Sequence, residues 1–280
     1  MASEQILSAA YALGTVCAWG VADFIGGYTA RRFHAFLLAS LGHFSGTLLV
    51  AAIALEQHEP FPPLPHLRWA ILGGAAGGLS LAFFYRALSQ GAMGLAAPLA
   101  AVLSAVIPAA FGVLTQGRPS ALKVSGFVLA LIAIWLISLP QEGMRPKGLA
   151  LAVISGFGFG LFYIFMQQAG GGSALWLATI SRASALLLSC VITLWGRKFS
   201  PSYPFGFLLA LVAGPIDVTG TVLFVRATQT GPLATAVILS SLYPIITVLL
   251  ARLFLKEHFS GSKAIGVMAA LAAVPMIVAG

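Results

Sequence analysis

Asp217 stands in the phrase Gly214-Pro215-Ile216-Asp217, about halfway through an apolar run near 205–227. A carboxylate at such a depth costs several kcal/mol unless it is neutral, paired or water-facing, so function is the default reading. It can bind a substrate amine, carry a proton, or sit protonated against a neighbouring helix. Arg182 lies inside the run 174–195. Its guanidinium suits a carboxylate, whether of a substrate or of Asp217. The alternative is a snorkelling side chain, because about eight residues, roughly 12 Å of helix, separate it from the start of its run. His43, in the run 34–55, reads as a satisfied buried histidine or as a cavity group. Asp23, near the end of the run 6–27 and close to Trp19, reads as an interfacial acid near Arg31 and Arg32 or as a cavity group.

Ser240-Ser241 and Tyr243, followed by Pro244, make a polar patch in the run 233–254. Proline there removes a helical hydrogen bond and frees a carbonyl. Pro215 is expected to loosen its own helix in the same way. Trp19, Tyr85, Tyr163 and Trp176 could line a cavity, although packing or an interfacial belt accounts for any one of them. The candidate substrate-binding set is therefore Asp217, Arg182, Tyr243, Ser240, Ser241, His43, Trp19, Tyr163 and Asp23. No catalytic, cofactor or metal residues are expected. There is no His-Glu-x-x-His, no Gly-x-Ser-Gly and no recognisable aspartate pair, so an intramembrane enzyme finds little support. Gly73-Gly74-Ala75-Ala76-Gly77-Gly78 and Gly156-x-Gly158-x-Gly160 lack the Lys-Ser/Thr of a phosphate loop, and close helix packing explains them better. Cys17 and Cys190 are isolated within apolar runs and fit neither a metal spacing nor a disulfide framework.

The elements that must position these groups are membrane spans. Hydrophobic residues make up 59% of the 280 and charged residues 8%, against roughly 25% in a soluble domain, and mean hydropathy is +0.98. So few charges cannot build a water-facing surface, so lipid must be the main solvent. The net charge of +8 comes from Lys and Arg scattered between apolar runs, with no basic stripe for nucleic acid. A span needs about 20 residues. Ten runs qualify, near 6–27, 34–55, 67–88, 93–115, 121–139, 147–168, 174–195, 205–227, 233–254 and 262–279. The first reads as a span and not as a cleaved signal, because Met1 to Gln5 holds no basic residue. The segment Pro140 to Lys147 divides the chain into halves, 1–139 and 147–280.

A shift of 140 residues lays one half on the other without gaps. Phe84, Arg86, Ala87 and Gly91 fall on Phe224, Arg226, Ala227 and Gly231. Ser120, Lys123 and Gly126 fall on Ser260, Lys263 and Gly266, and Trp19-Gly20 meets Phe159-Gly160. Residues 84–138 share 13 identities with 224–278; the charged, Gly and Ser matches carry the argument, since apolar matches arise by chance. Five spans per unit is an odd number, so the second unit enters the membrane from the opposite side. The expected fold is all-α: ten transmembrane helices in two inverted five-helix repeats around a shared cavity, a recurrent transporter architecture.

The phrase Phe224-x-Arg226-Ala227-x-x-x-Gly231-Pro232-x-Ala234-x-Ala236, with Leu242-Tyr243-Pro244 and Lys256-Glu257, resembles the EamA family of the drug/metabolite transporter superfamily. The first half departs from that pattern, with Ser104 where proline is common, Pro108 four residues later and Gly117 in place of a glutamate. The resemblance implies a multi-pass protein of the inner (plasma) membrane. It implies export or exchange of small metabolites such as amino acids by alternating access, with flipping of lipid-linked molecules or multidrug export as the alternatives. The expected partners are a small-molecule substrate and the bilayer, with proton coupling possible through Asp217, in a monomer or homodimer. No nucleotide-binding motif is present.

Two signals disagree on orientation. Omitting Arg182, ten Lys and Arg flank odd-numbered connections (Arg31, Arg32, Arg86, Arg145, Lys147, Arg197, Lys198, Arg252, Lys256, Lys263) and four flank even-numbered ones (Arg68, Arg118, Lys123, Arg226). The positive-inside rule then puts both termini outside, whereas the family resemblance implies cytoplasmic termini. We expect a C-terminal reporter that functions only in the cytoplasm to be active; a reporter active only outside reverses the orientation.

Overall fold

In a computed structural model of the chain, residues 2–30, 32–87, 93–139, 149–195, 204–256 and 260–279 are described. Arg31, Gly91, Arg145, Lys147, Arg197, Lys198, Glu257 and the inter-half segment from Pro140 to Lys147 lie outside them, as does the side chain of Tyr85. The described chain is helical throughout: α1 (Ala2–Ala30), α2 (Ala35–Glu56), α3 (Leu64–Ala87), α4 (Met93–Gln116), α5 (Ala121–Ser138), α6 (Leu149–Gln168), α7 (Ala174–Trp195), α8 (Pro204–Thr230), α9 (Leu233–Ser240), α10 (Pro244–Leu255) and α11 (Gly261–Ala279). Nine segments among the described residues are long and apolar enough to cross a bilayer, with α9 and α10 counted as one; α5 is apolar over a shorter stretch, Ala121–Ile137. Large apolar side chains such as Leu114, Leu187, Leu253 and Met268 point outward, as expected where lipid is the solvent.

The two prolines act differently. The ninth span is not one helix: Pro244 lacks an N–H, the chain tightens into i→i+3 turns (Leu242 N to Leu239 O, 3.1 Å; Tyr243 N to Ser240 O, 3.3 Å), and α10 restarts with Pro244 at its first position. Pro215, by contrast, leaves α8 unbroken. Gly214 beside it lies against the backbone of Gly42 in α2.

The helix pairing maps onto itself when the halves are exchanged. α1 packs on α8 and α6 on α3; α2 packs on α8 and α7 on α3; α4 packs on α6, while α9 and α10 pack on α1. α2 against α7 and α5 against α11 are each their own counterpart. The 140-residue shift holds down to single atoms. Thr15 Oγ1 donates to Gly220 O (3.3 Å), and its counterpart Ser155 Oγ donates to Ser80 O (2.8 Å). Ser120 caps α5 by accepting from Lys123 N (3.1 Å), and Ser260 accepts from Lys263 N (3.4 Å) at the start of α11. The matches visible in sequence therefore mark caps and crossings, where residue type is dictated by geometry.

Small residues bring these helices together. Gly73, Gly77 and Gly78 of α3 face Met166, Phe162 and Ala185, and Gly156 and Gly160 of α6 face Leu103 and Ile107 of α4. A Cβ on Gly126 would stand 2.8 Å from Ile277 Cγ1, and one on Gly266 would stand 2.8 Å from Ile137 Cγ1, again related by the 140-residue shift. We therefore expect Gly126→Ala and Gly266→Ala each to lower stability by about 1–3 kcal/mol, the range for overpacking, and to similar extents. Thermal unfolding of the purified variants measures both; a neutral effect at one site and a large one at the other contradicts an equivalent crossing.

Candidate functional site: a charged cavity between the halves

Two adjoining cavities open midway along the helices, of about 80 Å³ and about 50 Å³. Asp23, Leu81 and Asp217 line both. The larger cavity lies where the two halves meet, since three pairs related by the 140-residue shift face it: Trp19 with Phe159, Asp23 with Tyr163, and Gly77 with Asp217. The smaller extends past Gly26, Leu38 and Ala210 toward the face where α1 ends and α2 and α8 begin.

Arg182 of α7 and Asp217 of α8 form an ion pair, Nη2 to Oδ2 at 3.0 Å. The same Nη2 donates to Thr221 Oγ1, one turn along α8. Arg182 therefore does not snorkel; its side chain is 10% exposed, and its Nε–H has no acceptor among the described residues. Asp217 is 31% exposed, toward the cavities. Its backbone carbonyl accepts from the indole Nε1 of Trp19 (3.1 Å), which fixes the ring across the site. Under the shift, Arg182 falls on Gly42 and Asp217 on Gly77. The scaffold is duplicated, but the ion pair belongs to the second half alone.

Aromatic rings surround the pair. Trp19 lies with ring centroids 5.8 Å from Tyr163, 5.8 Å from Phe224 and, edge-on, 6.3 Å from Tyr243. Tyr163 and Phe224 are 4.8 Å apart. Phe224 is fully buried, about 10 Å along α8 from Asp217, so this layer floors the larger cavity on the side where α8 ends. Among the expected residues, Asp217, Arg182, Asp23, Trp19, Tyr163 and Tyr243 converge on the larger cavity. His43 faces the smaller, its Nε2 without a partner among the described residues.

Ser240 and Ser241 do not line either cavity. Both are fully buried at the α9–α10 break, and although Tyr163 faces Ser241, neither serine Oγ makes a hydrogen bond of good geometry. Trp176 is elsewhere too: it stacks edge-on with Phe61 (5.1 Å) and donates from Nε1 to Glu59 O (2.9 Å). Sequence reading missed Ser104, Phe159 and Phe162, which line the larger cavity. Phe159 was discoverable as the shifted counterpart of Trp19; Ser104 had drawn notice only as a departure from a family pattern.

The face where α2 ends and α7 begins is closed by contacts between the halves. Arg226 is more than an interface anchor, since it pairs with Glu59 across the halves (3.8 Å). His66 Nδ1 meets Ala169 O, and Gly172 packs against Pro62. Gln229 Nε2 bonds Gly170 O (2.9 Å) and Gly172 O (2.8 Å), shaping the α6–α7 turn that receives them.

Residues 146–279 match the model of the EamA-like transporter family. The second half of the chain is similar to an EamA unit. The likeness supports a membrane transporter of the drug/metabolite kind, and the matched residues include Arg182 and Asp217. A solved structure described only as "Crystal structure of protein" superposes with a TM-score of 0.75 over 96% of this chain and 95% of its own, at 18% identity. At that identity the likeness extends to the fold alone. No curated protein matches the chain.

Removing one partner of the ion pair strands the other in an apolar interior. We expect Arg182→Gln and Asp217→Asn each to cost about 2 kcal/mol of stability, below the ~3–5 kcal/mol of a fully buried pair because Asp217 reaches the cavity. The double variant should recover more than half of the summed loss. Thermal unfolding checks this; strictly additive losses would mean that the two groups are not coupled.

Proposed function

We propose that the chain is a secondary transporter of the inner membrane that moves small polar metabolites, amino acids among them, by alternating access. The observation that carries this reading is the Arg182–Asp217 pair, held at mid-membrane in a cavity walled by both halves. Charge at that depth is costly and persists where it serves binding or coupling. Residues 1–139 and 147–280 act as the two five-helix units. The smaller cavity leads toward one membrane face, while the Trp19–Tyr163–Phe224 layer and the Glu59–Arg226 contacts block the other. That asymmetry is what one limb of an alternating-access cycle requires, and exchange of the equivalent contacts between the halves supplies the other limb.

Substrate is taken by Arg182, Asp217, Asp23 and His43, against the rings of Trp19, Tyr163 and Tyr243. Arginine offers its unpaired Nε–H to an anionic group, and the carboxylates accept donors. Ser240 and Ser241 act indirectly, through the break that turns Tyr243 to the cavity. Asp217 is the simplest proton carrier, because a proton that neutralises it also frees Arg182 for substrate.

Proteoliposomes holding the purified chain should support counterflow of a labelled amino acid or small amine, faster with a pH gradient. Asp217→Asn should lose the dependence on the gradient. No counterflow of any candidate by folded protein removes the transporter reading; an unchanged pH profile in Asp217→Asn removes this residue from coupling alone.

A further inference from the structure

Asp23 is left over by the ion pair. Two carboxyl groups and one guanidinium line the larger cavity, and Arg182 is committed to Asp217. Among the described residues no cation pairs with Asp23. With both carboxylates ionised the cavity would carry one negative charge in excess, and a helical interior that offers little solvation then favours an incoming counter-cation. Asp23 is close enough to Asp217 and to Tyr163 to interact with both electrostatically. It lies one turn beyond Trp19 on α1, and the rings of Trp19, Tyr163 and Tyr243 face the same space.

An unpaired carboxylate among aromatic faces is the chemistry that receives an alkylammonium group. The carboxylate supplies the counter-charge, and the electron-rich faces of Trp and Tyr stabilise a cation by about 0.5–2 kcal/mol each when water is excluded. A hydrated metal ion would find few oxygen ligands here, since among the described residues no group of acidic, histidine or cysteine side chains is arranged to hold one. The same cavity wall includes Arg182, whose buried Nε–H has no acceptor among the described residues. Asp23 therefore reads a positive end of the ligand at a position distinct from the arginine.

We propose that Asp23, with Trp19, Tyr163 and Tyr243, forms a subsite for an organic ammonium group, and that this subsite makes the cavity selective for amine-bearing over neutral or purely anionic substrates. The inference rests on the transporter reading for its biological sense but concerns binding. Its repeat counterpart, Tyr163, shows how the subsite arose within a duplicated frame: a phenol stands in one half where the other places a carboxylate.

The test uses the full chain in detergent micelles and isothermal titration with phenethylammonium, its neutral isostere 2-phenylethanol, and 3-phenylpropanoate. The alcohol also reports partition into the micelle. Wild type should bind phenethylammonium saturably and at least about tenfold more tightly than the alcohol. Asp23→Asn should weaken the ammonium by about tenfold or more while leaving the alcohol unchanged, and Asp23→Glu should restore part of the difference. Thermal unfolding of each variant verifies that it is folded. The proposal is overturned if folded Asp23→Asn binds the ammonium within about twofold of wild type, if the alcohol binds as tightly, or if wild type shows no saturable ammonium binding. Ammonium binding lost in Asp23→Asn without counterflow of any substrate would remove the transporter reading and leave the subsite standing. Counterflow with no dependence of ammonium binding on Asp23 would do the reverse.

Discussion

A carboxylate and a guanidinium cannot face hydrocarbon, and this chain places one of each in the middle of its spans. The 3.0 Å pair between Arg182 and Asp217 sets the terms for the surrounding structure. The pair needs a second acceptor, which Thr221 supplies, and a wall that keeps lipid out, which the other half supplies through Trp19. It also needs a space in which the remaining polarity of Asp217 is not stranded, and the cavities are that space. Pairing and partial hydration together make a charge at this depth tolerable where either alone would be costly.

Glycine and small residues make the enclosure possible. α8 approaches α2 at Gly214 and Gly42, and α1 at Gly220, where an added Cβ would stand 2.5 Å from Trp19 Cδ1. Any larger residue at Gly220 would push the indole off the Asp217 carbonyl. The same economy governs α3, where Gly74 lies on the backbone of Ser181, next to Arg182. Close backbone approach therefore brings Arg182 and Asp217 within reach of each other. Packing energy and site geometry are in this sense one feature, since hydrocarbon offers no hydrophobic driving force between helices and contact must come from fit.

The duplication explains what is shared and what is not. Caps, crossings and the Thr15 and Ser155 hydrogen bonds recur under the 140-residue shift. The charges of the cavity do not recur: Gly42 and Gly77 stand where Arg182 and Asp217 stand in the other half, and Asp23 is answered by Tyr163. A symmetric frame suits opening to either face, while an asymmetric lining suits recognition of a ligand whose two ends differ. The closed face illustrates the same division. Its contacts, Glu59 with Arg226 and Phe61 with Trp176, join loops and helix ends that have no sequence pattern in common.

Composition and run length were enough to determine an all-helical membrane fold of nine to ten crossings. Those features follow from the solvent and from residue periodicity, which are local properties of a chain. The mid-span position of Asp217 and Arg182 was equally legible, because hydropathy reports depth. Depth says nothing of azimuth. Whether Arg182 snorkelled or paired, whether Asp23 met the interface or the cavity, and why Trp176 belongs to a closed face and Trp19 to the site all depend on which way each helix is turned. The break at Ser241–Tyr243 was foreshadowed by Pro244, yet only packing of α9 among α1, α4 and α8 decided that Ser240 and Ser241 are buried away from the cavity while Tyr243 faces it. Rotation about a helix axis is fixed by contacts between segments far apart in the chain, and for that reason tertiary structure alone could decide it.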